Sequence, residues 1–161
     1  MSFDLILVHM EKGDAAPVRE PARVLDVLRE FCEKTADQFG CYRVEFPDGS
    51  SATFTAEGLE SRERFTTCSF NLRHFTPEVV TFVYRIARAA DMVIFNAQAD
   101  GDPGNPSAIC VAVGQEDDLP TDGLDDAVVC SSSEHLGQLL GKGYENWSGY
   151  RDEIVGGQKP S

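Results

Sequence analysis

The segment from Phe75 to Ala97 constrains the fold more than any other part of the chain. Thr76 stands where a helix N-cap is expected, Pro77 at the first helical position, Glu78 in the positively polarised first turn, and Phe75 where a hydrophobic staple reaches forward to Val80. Val79, Phe82, Val83, Ile86 and Ala90 then recur at three- and four-residue spacing, which places them on one face. A β-rich run, Met92 to Ala97, begins almost at once. A helix that is apolar on one side and runs straight into a strand must lie against a sheet, so the chain belongs to a class in which helices pack on strands.

The preceding residues supply that sheet. Residues 3–9 read as a strand too short for a typical helix, central and with both faces largely covered. Glu11 to Val18, with Gly13 and Pro17, reads as a loop. Val24, Leu25, Leu28, Phe31 and Cys32 mark an amphipathic helix from Glu20 to Asp37, opened by Pro21 and followed by Gly40. Cys41 to Phe46, the turn Pro47-Asp48-Gly49-Ser50, and Ala52 to Ala56 form a hairpin, and Phe65 to Leu72 a third strand. Beyond the central helix and strand, Ala108 to Val113 is an apolar strand and Ala127 to Cys130 a weaker one. Ser131 with Glu134 matches a capping box for a short helix to Leu140, broken by Gly141-Lys142-Gly143. A last helix places Tyr144, Trp147, Tyr150, Arg151 and Ile154 on one side. The expectation is one α+β domain over residues 1–155, an antiparallel-dominated sheet with packed helices in the order β-α-β-β-β-α-β-β-β-α-α, and a flexible tail over 156–161. At 161 residues one core suffices.

No apolar run has the length or flanks of a membrane helix or signal peptide, which points to a cytoplasmic protein. The five cysteines form no C-x-x-C pair and read as buried thiols, with no metal site and no cofactor indicated.

Charge is distributed unevenly. Of the net −13, −10 lies in residues 89–141, which hold Asp91, Asp100, Asp102, Glu116, Asp117, Asp118, Asp122, Asp125, Asp126 and Glu134 and no Lys or Arg. Such a field repels nucleic acid and anionic lipid and speeds encounter with a basic partner. Asp100, Asp102, Glu116, Asp117, Asp118, Asp122, Asp125 and Asp126 are therefore the candidate partner-binding residues. Pro120 and Gly123 keep the densest of them off a regular helix face. Acids that only confer solubility are the competing reading.

Motifs for chemistry are missing. His9, His74 and His135 have no carboxylate or cysteine at a recognised spacing, though convergence of His9 with His74 and nearby carboxylates would open the alternative of a small enzyme whose site is assembled from distant residues. Ser131-Ser132-Ser133 lacks a nucleophile elbow, and the glycines match no phosphate loop. Asp100, Asp102 and Asn105 resemble a calcium loop, but Val111 stands where the bidentate Glu belongs. Tyr144, Trp147 and Tyr150 suit either an interface, which would make the chain a homo-oligomeric module, or the last helix's own core.

The strand Phe3-Asp4-Leu5-Ile6-Leu7, the Pro-led entry to the Val24-Leu25-Val27-Leu28 helix and the strand and turn Tyr42-Arg43-Val44-Glu45-Phe46-Pro47-Asp48-Gly49 have a family look. So do the Thr76-Pro77-Glu78-Val79-Val80 helix start and the strand Val93-Ile94-Phe95. In these features the chain resembles small bacterial immunity-type proteins encoded beside secreted polymorphic toxins. That resemblance implies a non-catalytic cytoplasmic protein that binds a toxin domain and occludes its active site.

Overall fold

A computed structural model describes residues 3–32, 36–60, 64–99, 104–120, 126–141 and 143–145. Its elements, in chain order, are β1 (Phe3–Val8), β2 (Met10–Glu11), β3 (Asp14–Ala15), α1 (Pro21–Phe31), β4 (Cys41–Glu45) and β5 (Ser51–Thr55). There follow β6 (Thr67–Leu72), α2 (Pro77–Ala90), β7 (Val93–Asn96), β8 (Ala108–Cys110), a 3-10 turn (Gln115–Asp118) and β9 (Val128–Val129). Residues 133–141 are helical and form α3, and residues 143–145 are helical again. The main sheet has seven strands in the order β4-β5-β6-β1-β7-β8-β9. Every pairing in it is antiparallel except β8 with β9, which is parallel. The α+β class and the antiparallel-dominated sheet are as the sequence predicts.

The alternation of side chains divides the sheet into two faces. Phe3, Leu5 and Leu7 of β1, Tyr42 and Val44 of β4, Phe54 of β5, Cys68, Phe70 and Leu72 of β6, and Ile94 and Ile109 beyond them point to one side. They share a core there with Val24 and Leu28 of α1, the apolar face of α2, and Leu136 and Leu140 of α3. Phe82 lies at its centre, with ring centroids 4.9 Å from Phe31, 5.7 Å from Phe46, 5.9 Å from Phe54 and 5.6 Å from Phe70. Edge-to-face and tilted packing of this kind adds about 0.5–1.5 kcal/mol per pair to the burial itself.

The other face carries the alternate residues, and β1 departs from expectation here. It is central, yet only one of its faces is fully covered: its burial alternates and Ile6 is 44% exposed. Registered beside Ile6 are Ser69 and Phe95, and beside Asp4 is Asn71, which in turn lies opposite Thr53. At the β7–β8 end a small second core covers this side: Val93, Ala108, Cys110 and Leu119, with Met10, Phe95 and Ala127 packed on them. The four strands β4, β5, β6 and β1 thus present an open, mostly uncharged face next to a covered shoulder.

Several local expectations need correction. Glu11 to Val18 is not simply a loop: β2 and β3 form a tight hairpin around Lys12 and Gly13, with φ of 51° and 84°. Positive φ at both central positions is the type I′ signature, whose twist matches the strands it joins. Helix α1 ends at Phe31, because Cys32 turns to extended backbone while its N–H returns to Leu28. Gly40 therefore does not cap it. Gly40 belongs instead to a turn in which the Asp37 carboxylate accepts from the Phe39 and Cys41 amides. Strand β8 stops at Cys110, and Val113 is 93% exposed.

The start of α2 is as predicted, Thr76 Oγ1 accepting from the Val79 amide at 3.4 Å. Phe75 stacks on Tyr144, with centroids 4.9 Å apart. For α3 the cap is Ser132, not Ser131, since Ser132 Oγ accepts from the His135 amide at 3.1 Å. Glu134 therefore falls one position short of the capping-box place, and His135 stands there, its Nδ1 accepting from the Ser131 amide at 3.3 Å. Gly141 is helical and so is Gly143, and the Lys142 between them, where the sequence predicts the break, lies outside the described residues. Gly143 is in close packing: a Cβ there would lie 2.8 Å from Asn105 Oδ1. The predicted helix beyond residue 145 and the tail over 156–161 lie outside the described residues.

Candidate functional site

The acidic segment begins where β8 ends. Val111 and Ala112 donate their amides to the buried Gln115 Oε1, at 2.7 and 3.3 Å, and Gln115 Nε2 donates to Asp91 Oδ1 at 2.8 Å and to the Met92 carbonyl. One glutamine thereby ties the start of the 3-10 turn to the end of α2. At the other end of the turn, Asp118 accepts from the β2–β3 hairpin: Lys12 N to its Oδ1 at 3.1 Å and Gly13 N to its carbonyl at 2.8 Å. Leu119 inserts into the second core directly afterwards. The turn is held at both ends, and Glu116 and Asp117 project from it into solvent.

The predicted acids therefore divide. Glu116 and Asp117 are exposed. Asp118 is partly buried and bonded to the hairpin. Asp126 accepts from Ser107 Oγ at 2.5 Å and Ser107 N at 2.9 Å, which ties the β9 entry to β8. These bonds, the hydroxyl's first, hold its carboxyl below the ordinary carboxylate range. Asp100, Asp102, Asp122 and Asp125 lie outside the described residues. Beneath the turn, burial pushes the Cys110 thiol up to about 11, and the charge of Glu116 adds to the effect. The described cysteines are all free thiols and four of the five are buried.

The histidines do not meet. His9 lies at the C-terminal end of α2, 3% exposed, with Nδ1 3.0 Å from the Ala16 carbonyl and Nε2 3.9 Å from Asp91 Oδ2. His74 precedes the N-terminal end of the same helix, its Nδ1 accepting from the Ser51 amide. The helix has 14 residues, which at 1.5 Å each puts its ends about 20 Å apart. His135 serves the start of α3. Asn105, from the calcium-like loop, is fully buried and committed to Asn96 and the Gln98 carbonyl. Among the described residues no group of three His, Cys, Asp or Glu is arranged to hold a metal ion. Nor is any described helix long and apolar enough to cross a membrane.

No family model, no curated protein and no solved structure matches this chain.

Of the aromatic residues assigned to the C-terminal stretch, Tyr144 packs inward: its ring meets Phe3 edge-on at 5.7 Å as well as Phe75, and its hydroxyl donates to the Arg73 carbonyl. Trp147 and Tyr150 lie outside the described residues. The surface that sequence reasoning missed is the open face of β4, β5, β6 and β1. Its residues, Thr53 and Thr55, Ser69 and Asn71, were legible as the polar half of alternating strands. Arg43 and Glu45 mark its outer edge, Nε to Oε1 at 3.7 Å, both well exposed. In the middle, Asn71 Nδ2 donates to Asp4 Oδ1 at 2.8 Å across the β1–β6 pair. Small polar side chains with an exposed Ile6 among them line this face, and the second core covers the same side of the sheet next to it.

Proposed function

We propose that the chain is a non-catalytic protein-binding module, an immunity-type inhibitor that works in the cytoplasm by covering the active site of a cognate toxin domain. The observation that carries the reading is the rigid presentation of Glu116 and Asp117. Both carboxylates are exposed on a turn whose two ends are bonded to α2 and to the β2–β3 hairpin, so little ordering is required when a partner arrives. Fixed acids of this kind complement a basic patch, steer its approach and set its register. The adjoining sheet face adds a mostly uncharged floor with Ile6 exposed on β1, at the side next to the covered shoulder, where contact area is gained with little charge to desolvate. The basic surface sought is one that handles phosphate, as in a nuclease or nucleotide-binding cleft.

Co-expression with the product of the adjacent open reading frame tests this directly. Stoichiometric co-purification and protection of cells from that product are the expected results. The double variant E116K/D117K should associate about ten-fold more slowly and with a flatter salt dependence, since it reverses the steering charge. A chain that neither binds nor protects sinks the proposal, and unchanged kinetics in the double variant would remove the acidic turn from it.

A further inference from the structure

A cleft of 430 Å³ opens at the C-terminal end of α2, lined among others by His9, Arg19, Arg23, Arg88 and Asp91. Its guanidinium groups are already committed. Arg19 pairs with Glu11 at 3.0 Å, Arg23 with Glu20 at 2.6 Å, and Arg88 Nη1 donates to the Val111 carbonyl at 2.7 Å. Each guanidinium thus has a partner within the fold, and among the described residues of the cleft the group left without a hydrogen bond is one nitrogen of His9.

Because the Ala16 carbonyl can only accept, His9 Nδ1 must carry its proton there, and the neutral ring presents a bare lone pair at Nε2. That lone pair faces two carboxylate oxygens, Asp91 Oδ2 at 3.9 Å and Glu11 Oε1 at 4.0 Å. Acceptor against acceptor cannot bond, whereas a protonated Nε2 donates to either carboxylate and attracts both. The other charged groups around the ring are Arg19 and Glu20 from the linker, Arg23 from α1 and Arg88 from α2. Glu11 is paired with Arg19, and among the described residues no Lys or Arg pairs with Asp91.

Each of these carboxylates leads to the acidic turn. Asp91, held in the left-handed region at φ 55°, receives Gln115 Nε2 on its other oxygen. Glu11 immediately precedes Lys12 and Gly13, whose amides hold Asp118. We infer that His9 is a proton-operated clamp, closing on Asp91 and Glu11 when its Nε2 is protonated and thereby tightening both anchors of the turn that displays Glu116 and Asp117. Protonation adds a further hold to a turn that is already bonded at both ends. The coupling lies within the chain and does not depend on which partner the turn meets.

A pH titration of the full chain followed by NMR tests the clamp. In the wild type, the His9 ring and the amides of Gly13 and residues 115–119 should change together, with one midpoint, separate from the carboxylate steps at lower pH. In H9Q that step should vanish from the turn amides. D91N keeps the left-handed backbone, which Asn tolerates, and an oxygen for Gln115, and it should weaken proton binding at His9 by about three- to ten-fold. Turn amides that ignore the His9 midpoint, or that keep the same midpoint in H9Q, overturn the proposal. Should H9Q fail to fold, D91N decides alone: the ring and turn midpoints must move together, and an unmoved ring midpoint overturns the clamp.

Discussion

Gly13 donates its amide to the Asp118 carbonyl at 2.8 Å, so the hairpin that follows β1 and the acidic turn that follows β8 behave as one unit. Gly13 sits at φ 84° beside Lys12 at φ 51°. Alanine at position 13 meets only ordinary contact with Pro120, so its cost comes from the backbone. G13A should lose about 1 kcal/mol in urea unfolding and weaken exchange protection at the Asp118 contact. Equal stability would mean that the hairpin does not need its left-handed turn.

The acids should differ in their effect on stability. E116K and D117K alter exposed side chains with no described bond in the fold and should change unfolding free energy by no more than about 0.5 kcal/mol. D126A removes the acceptor of two bonds from Ser107 and should cost about 1 kcal/mol or more. Urea denaturation of the three variants side by side reads the difference. Equal losses would contradict the division between displayed and structural acids.

Phe82 contacts Phe31, Phe46, Phe54 and Phe70 and is fully buried. Truncation leaves a cavity where α1, α2 and the sheet meet. F82A should cost about 3–5 kcal/mol, and F82L distinctly less because it refills most of the volume. A small F82A effect would show that the aromatic cluster collapses around the gap.

Acid should destabilise the fold through identified carboxylates. Asp126 is held low by Ser107, Asp48 by the hydroxyl and amide of Ser50, and Glu60 by the Tyr42 hydroxyl. A carboxyl whose folded pKa lies below its unfolded one stabilises above the unfolded value, near pH 4, and loses that contribution as pH falls through the folded value. Stability measured from pH 6 downward should therefore begin to fall near pH 4. D126N, which cannot ionise, should show a shallower acid limb, and a limb of unchanged slope would exclude Asp126 from it.

Much of the architecture was legible because its signals are local. The cap, proline and apolar spacing of α2 lie within one short segment, and the hairpin turn at 47–50 is written in its own residues. Boundaries shifted where a neighbouring bond intervened: α1 stopped early once Cys32 turned to extended backbone, and the cap of α3 moved to Ser132. The Lys12-Gly13 turn was missed because this pair lacks the Asn or Asp that usually announces left-handed backbone. The covered and open faces of β1 could not be told apart, since Asp4, Ile6 and Val8 alternate in polarity too weakly to mark a solvent side.

Sequence by itself determined the class, most of the succession of helices and strands among the described residues, and the concentration of negative charge after Arg88, for these depend on residues a few positions apart. Only the tertiary structure decided which acids are displayed and which are spent. Lys12 and Asp118 meet across 106 residues, and Asn71 and Asp4 across 67. A hydrogen bond over such a separation leaves no periodic trace in the chain, because its partners are chosen by where the strands are laid down and not by what stands next to them.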